Sequence, residues 1–524
     1  MTGLGRVAVV WSDPSGAVAW AAVAACALAL GPAGLRWLRV AQREHYVPWS
    51  VGRFAVRWWA GEHADAVLGA LAVAAVVLAA FWPLAALAAA AVVAAAPRHL
   101  SVRGRTGPLA ATRRLRTLAL AWLALQALVI GVGVVAGAPA PAAAAGGLLA
   151  PLLVDAAAAV LAPVERRLGL PHVRAAAARL AEVSPVVVGI TGSYGKTSTK
   201  NHLAHLVAGS RRVVASPASF NNRAGLAISI NDHLEEGTEV FVAEMGTYGK
   251  GEIAELCRWF PPAIAVITAI GPVHLERFGS EERIVEAKSE ITSPAGVVVV
   301  NADDARLALL ADRLEASGAG KVVVRCSATD TGADLCVRRN GERLEVWAAG
   351  RPVDLDVPAP RGGQPSNLAC AVAVALRLGL DERAVVQRLA DLPDVPSRLA
   401  SGLAPSGVYV IDDTFNANPA GARAALAALE AAPVGGRRVV VTPGMVELGA
   451  RQGEENRRFA RTAGGVATDL VVVGRTNRRA LLEGAAPLRP VTVRTRDQAV
   501  RWVRANLGPG DAVLYENDLP DHYP

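Results

Sequence analysis

Val186-Val187-Val188-Gly189-Ile190-Thr191-Gly192-Ser193-Tyr194-Gly195-Lys196-Thr197-Ser198 is the stretch that decides the fold. A β-branched run leads into a glycine-rich turn and then a helical pattern that extends to about Gly209. That is a strand–loop–helix unit. Gly192 and Gly195 let backbone N–H groups of the loop, with Ser193, Tyr194 and Ser198, point inward around a phosphate. Lys196 then neutralises the β- and γ-phosphates, the Thr197 hydroxyl is set for Mg²⁺, and the helix start adds its dipole. The spacing departs from G-x-x-x-x-G-K-T, because residue 190 is Ile and the preceding glycine is 189. The expectation is a nucleoside triphosphate site.

Outward from this loop, β-branched runs alternate with helical patterns. Strands are expected at 186–190, 239–243, 263–270, 297–300 and 321–325, and again at 408–411, 438–442, 470–473, 491–494 and 512–515. Such alternation gives parallel sheets covered by helices. The segment 391–407, rich in Pro, Ser and Gly, reads as a joint between two α/β domains, 183–397 and 398–524. Residues 168–182 read as a short amphipathic connecting helix. The five cysteines show no metal-like spacing, as expected in a reduced compartment.

The first 167 residues have a different texture. The formal charge of +8 lies entirely there, in 14 Arg against 6 acids with no Lys, and 8 of the 11 Trp lie there too. A localised Arg surplus beside apolar runs is an orientation signal for a membrane segment rather than a nucleic-acid footprint. Apolar runs occupy about 17–35, 66–96, 117–137 and 147–163. The first and third are long enough to span a bilayer. The second, interrupted by Phe81-Trp82-Pro83, fits either one tilted span or a hairpin of two short ones. Placing the Arg clusters at 36–65, 97–116 and 166–167 on one side requires the hairpin. The expectation is a multi-pass region (1–167) of four or five helices in the cell membrane, with the rest of the chain cytoplasmic. Asp155, inside the last run, either marks a polar intramembrane site, or sits near the membrane interface or faces another helix.

Further motifs follow the loop in order: Phe220-Asn221-Asn222-Arg223-Ala224-Gly225, Ala243-Glu244-Met245-Gly246 with Gly251-Glu252-Ile253, and Ile270-Gly271-Pro272-Val273-His274-Leu275-Glu276. Ala287-Lys288-Ser289-Glu290, Asn301-Ala302-Asp303-Asp304, Asp412-Asp413-Thr414-Phe415-Asn416-Ala417-Asn418-Pro419 and Met445-Val446-Glu447-Leu448-Gly449 complete the series. Together with T-G-S-Y-G-K-T-S they resemble the Mur ligases across residues 183–524. The resemblance implies a P-loop central domain, a Rossmann-like C-terminal domain, and an ATP- and Mg²⁺-dependent, ADP-forming ligase. Such an enzyme joins a muramoyl-peptide-like carboxylate to an amine through an acyl phosphate. The 412–419 and 445–449 segments are most similar to the member that adds D-alanyl-D-alanine to a peptidoglycan precursor.

The resemblance also implies roles. Lys196 offsets the repulsion between carboxylate and γ-phosphate, the kind of electrostatic help on which such transfers depend. Thr197 and Glu244 are oxygen ligands for Mg²⁺, a hard cation. His274 helps to hold a second Mg²⁺, and Lys288 joins it if carbamylated to an anion. Asn301 serves as a turn residue or a nucleotide contact. Asn367 approaches adenine, Arg398 reaches the γ-phosphate when the last domain closes, and Asp412 holds the ribose.

Three departures stand out. Apolar runs replace the domain that grips the UDP-sugar; Ala269 and Asn456 stand where a polar residue and a His are usual; and Tyr515-Glu516-Asn517-Asp518 replaces V-K-G-S. Glu516 and Asp518 either attract the ammonium of the incoming amine or are simply solvated. Alternatives to the ligase reading are a ligase of this fold on a lipid-linked or folate-like carboxylate, a P-loop component of a membrane transporter, and a non-catalytic regulator.

Overall fold

The computed structural model describes residues 14–102, 109–360, 363–393, 400–414, 417–520 and 522–523. The chain divides into two compact units, residues 1–168 with 519–524, and residues 169–518.

The first unit is helical: α1 (Pro14–Arg43), α2 (Ser50–Gly61), α3 (His63–Leu78), α4 (Ala85–Ala95), α5 (Arg113–Val135), α6 (Pro139–Leu148) and α7 (Ala150–Val183), which continues into the second unit. Small residues let these helices approach closely. Ala22, Ala75, Ala86, Ala89, Ala140 and Ala143 form one buried cluster. The charge-free run 66–96 is two helices, α3 and α4, so its halves are separate elements. By length and composition, α1 from Gly16 and α5 can each cross a membrane. Two bent pairs, α2 with α3 (111°) and α6 with α7 (75°), raise the number to four if each is one span.

Two buried polar side chains of this unit close helix ends. Asp155 on α7 accepts the Val51 and Gly52 N–H groups at 3.2 and 2.6 Å, so it caps the first turn of α2. Arg36 Nη1 donates to the Val93 and Ala96 carbonyls and satisfies the end of α4. The chain's last residues also belong here. Trp58 Nε1 donates to the His522 carbonyl at 2.8 Å, His522 Nε2 meets Glu44 Oε1 at 3.0 Å, and the Phe54 ring lies 4.8 Å from His522 and 4.9 Å from Tyr523.

One expectation is corrected here. Residues 168–182 are not a separate connecting helix but the continuation of α7, which runs unbroken through Pro163 and Pro171. Its Ala, Leu, Arg and Glu content keeps helix propensity high throughout.

The second unit contains two sheets. The strands of the first are β1 (Val186–Thr191), β2 (Val213–Ala215), β3 (Val240–Glu244), β4 (Ile264–Ile267), β5 (Val297–Asn301), β6 (Val322–Ser327), β7 (Leu335–Asn340), β8 (Arg343–Ala348), β9 (Arg351–Pro352) and β10 (Val357–Pro358). Their order is β10-β8-β7-β6-β5-β4-β1-β3-β2, with β9 on β8. From β2 to β7 the pairing is parallel, and β7, β8 and their neighbours turn antiparallel. Covered on both faces, the central strands are continuous Val/Ile runs rather than alternating ones. One cover is the helix Pro365–Arg377, buried from Asn367 through Ala375. The second sheet has β11 (Ala400–Leu403), β12 (Tyr409–Asp413), β13 (Arg438–Thr442), β14 (Asp469–Val473), β15 (Val491–Val493) and β16 (Ala512–Glu516) in the order β11-β12-β16-β13-β14-β15.

Register positions the site. Ile190 lies opposite Glu244 across β1 and β3, and Thr191 opposite Ile267 across β1 and β4. The glycine-rich turn, Glu244 and the loop after β4 therefore share the carboxyl edge of the sheet, where open α/β sheets bind ligands.

Candidate functional site

The turn after β1 is built by its glycines. Gly195 has φ 79°, and a Cβ there would come within 2.2 Å of Asn367 Oδ1. Gly192 has φ 153°, and a Cβ would meet Thr268 Oγ1 at 2.0 Å. Only glycine admits this path. The helix Lys196–Ala208 begins immediately after it. Lys196 Nζ donates to the Gly192 carbonyl at 2.8 Å, folding its cation over the loop.

Ser193 is committed elsewhere. Its N–H donates to the Ala269 carbonyl at 2.7 Å, and its hydroxyl exchanges bonds with Gly271 at 3.0 and 3.1 Å. It ties the loop to residues 269–271. The Tyr194 ring lies against Gly271, where a Cβ would clash at 2.3 Å. Burial pushes its phenol above the usual range. Ser198 is half-buried on the first turn of the helix.

Thr197 and Glu244 come together. Thr197 Oγ1 donates to Glu244 Oε2 at 2.9 Å, and Asn221 Nδ2 donates to Oε1 at 3.1 Å. Lys200, buried one turn beyond Lys196, stands 3.6 Å from Glu244 Oε2 while its Nζ donates to the Ser216 (2.7 Å) and Ala218 carbonyls. Lys200 was not among the residues singled out from sequence. Its four-residue spacing from Lys196, one helical turn, was the available signal.

Lys288 is buried and donates to the Gly192 carbonyl at 3.0 Å. Burial and the nearby Lys196 push its pKa well below the usual lysine range. His274 lies in the loop after β4. In the left-handed region at φ 56°, it bonds through Nδ1 to Glu447 Oε2 on the loop after β13. Asn301 is buried at the end of β5, where its Oδ1 accepts the Asp303 N–H at 3.2 Å as an Asx turn does. Asn367 touches the loop at Gly195, while Asp412 Oδ1 accepts the Thr414 N–H and hydroxyl at 3.1 and 2.6 Å. Arg398 lies outside the described residues. Glu516 is fully buried against the Thr442 hydroxyl, which does not fit the solvated alternative.

Among the described residues no three His, Cys, Asp or Glu side chains cluster around one point. That is compatible with Mg²⁺, which keeps several waters and takes one or two protein oxygens beside substrate phosphates. The Thr197–Glu244 pair, two hard oxygen donors at the mouth of the glycine-rich loop, fits that requirement.

Residues 190–375 match the Mur ligase middle domain and residues 400–515 the Mur ligase glutamate ligase domain. The chain belongs to the Mur ligase family, and is thereby an ATP-dependent, ADP-forming amide ligase. It is similar to the UDP-N-acetylmuramoyl-tripeptide–D-alanyl-D-alanine ligase of Mycobacterium leprae, with 34% identity over 440 residues covering 74% of this chain and 81% of the relative. The ligase of the same name from Mycobacterium tuberculosis is 35% identical over 385 residues, 65% of this chain and 72% of the relative. Among solved structures, the MurF ligase from Thermotoga maritima in complex with ADP matches with a TM-score of 0.58 and 27% identity, covering 67% of this chain and 80% of that one.

Proposed function

We propose that this ligase adds D-alanyl-D-alanine, or a similar amine, to the carboxylate of a muramoyl-peptide precursor, and does so at a membrane. The observation that carries the reading is the loop itself, with Lys196 folded over it and Thr197 paired to Glu244. Named relatives that match over most of their own length support it. The carboxylate takes the γ-phosphoryl group, releasing ADP; the amine then attacks the acyl carbon, and phosphate leaves. Lys196 lowers the repulsion between the two anions in the first step. Thr197 and Glu244 would hold Mg²⁺, which supplies charge neutralisation at the phosphates. His274 would help to hold a second Mg²⁺, and Lys288 would join it once carbamylated; a buried amine with a depressed pKa is neutral enough to take up CO₂. Asn301, Asn367, Arg398 and Asp412 complete the nucleotide contacts, within a central domain at 183–397 and a C-terminal domain at 398–524.

The helical unit is the membrane part of the proposal. Leu28, Phe81, Trp82, Leu120, Val132 and Val135 point outward, an apolar surface suited to lipid rather than water. It also favours one variant, a lipid-linked acceptor. Purified protein given ATP, Mg²⁺ and amine with UDP-linked or lipid-linked muramoyl peptides tests both readings. ADP and phosphate should appear only when acceptor and amine are both present. Formation of AMP and pyrophosphate, or ATP hydrolysis independent of acceptor, would overturn the acyl-phosphate route.

A further inference from the structure

His274 and Glu447 are both non-glycine residues held in the left-handed region, at φ 56° and 63°. Such backbone strain is kept where surrounding structure enforces it, often at functional sites. The two face each other from different sheets: His274 follows β4 and Glu447 follows β13. Glu447 Oε2 lies within hydrogen-bonding reach of His274 Nδ1. Tyr248 packs edge-on against the imidazole at 4.7 Å, and Arg277 lies over Tyr248 at 4.5 Å. A second link joins the same loop to the first sheet's side, Arg451 Nη1 to Glu281 Oε1 at 2.8 Å.

A carboxylate on one imidazole nitrogen fixes the tautomer and aims the other nitrogen's lone pair, the arrangement found behind metal-holding histidines. We infer that Glu447 is a positioning residue: by holding the proton on Nδ1 it presents His274 Nε2 as a cation-accepting nitrogen. Because Glu447 comes from the second sheet, this nitrogen is prepared only while the loop 445–451 is docked. The inference rests on the proposed role of His274 toward Mg²⁺.

The test uses the full chain in detergent with ¹⁵N-labelled imidazoles and no metal, the His274 resonances being assigned with His274→Asn. The unaltered protein should show His274 protonated at Nδ1. Glu447→Gln, whose amide oxygen still accepts that proton, should keep the tautomer; Glu447→Ala should lose it. In acceptor-dependent ADP formation, Glu447→Ala should raise the Mg²⁺ concentration for half-maximal rate by about 10-fold or more. Glu447→Gln should shift it far less, and the KM for ATP at saturating Mg²⁺ should stay put. An unchanged tautomer and an unchanged Mg²⁺ midpoint in Glu447→Ala would overturn the inference, even if the maximal rate fell. Should the protein form no acceptor-dependent ADP at all, the ligase reading fails, while the imidazole spectra still decide the role of Glu447.

Discussion

Lys196 and Lys288 donate to one oxygen, the carbonyl of Gly192, at 2.8 and 3.0 Å. Two ammonium groups at one buried acceptor repel each other, and burial adds a larger penalty for charging Lys288. Its amine is therefore neutral at pH values where an ordinary lysine is charged. With ¹³C-bicarbonate the protein should show a carbamate carbon signal by NMR that persists toward neutral pH and disappears in Lys288→Gln. Lys196→Ala should weaken that signal at neutral pH, since removing the neighbouring charge raises the Lys288 pKa. The same change should cut ADP formation by at least about 100-fold. A carbamate signal indifferent to both changes would contradict this account.

Lys200 is the buried counter-charge of Glu244 and the donor to two carbonyls of the loop after β2. Removing one partner of a buried pair is costly because the other charge stays behind, typically by about 3 kcal/mol. Lys200→Met should lower the thermal midpoint of the protein by several degrees and weaken Mg²⁺-ATP binding. Lys200→Arg, too large for the same space, should do little better. Calorimetry with and without Mg²⁺-ATP measures both effects.

Glu516 gives a pH dependence with a definite sign. Burial raises its carboxyl from 4.5 to about 7; the Thr442 hydroxyl works against this, and Asp413 adds to it. The folded state thus holds a proton that the unfolded state releases. The favourable contribution is complete below pH 4.5 and is lost as pH rises through 7, leaving a penalty of about 3 kcal/mol at alkaline pH. Glu516→Gln should match the unaltered protein near pH 4.5 and be the more stable one at pH 8, as thermal melts across that range would show. Equal midpoints at pH 8 would count against a buried carboxylate.

In the helical unit, His522→Ala should strip a partner from Glu44 and the aromatic contact from Phe54. Loss of such a buried bond and its packing costs roughly 2 kcal/mol. The Trp58 emission, isolated by comparison with Trp58→Phe, should move to longer wavelength as its indole loosens.

Much of this architecture was legible beforehand, and for a physical reason. Central parallel strands are buried on both faces, so Val186–Thr191, Val240–Glu244 and Val297–Asn301 are unbroken apolar runs that no helix-period pattern imitates. The strands that escaped notice lie toward the ends of the two sheets. β2 is three residues long, and β11 is Ala-Ser-Gly-Leu, a composition typical of loops. The β7–β8 hairpin carries Arg338, Arg339 and Arg343 around Asn340-Gly341, a turn signal that was present but overshadowed by the charges. Within the site, contacts made inside one motif could be anticipated, such as Lys196 over its own loop. The bond between His274 and Glu447 could not, since 173 residues separate them and no local spacing encodes their meeting. Arg398 falls outside the described residues.

The helical unit draws on two stretches far apart in sequence, residues 1–168 and 519–524. Everything from 169 to 518 is therefore an insertion into it, and this matters for how the protein is made. Helices α1 to α6 are translated before residues 169–518, yet Trp58 gains the His522 carbonyl, and Glu44 the His522 imidazole, only when residue 522 has been synthesised. The helical unit is thus finished only after the ligase residues between its two stretches have been translated.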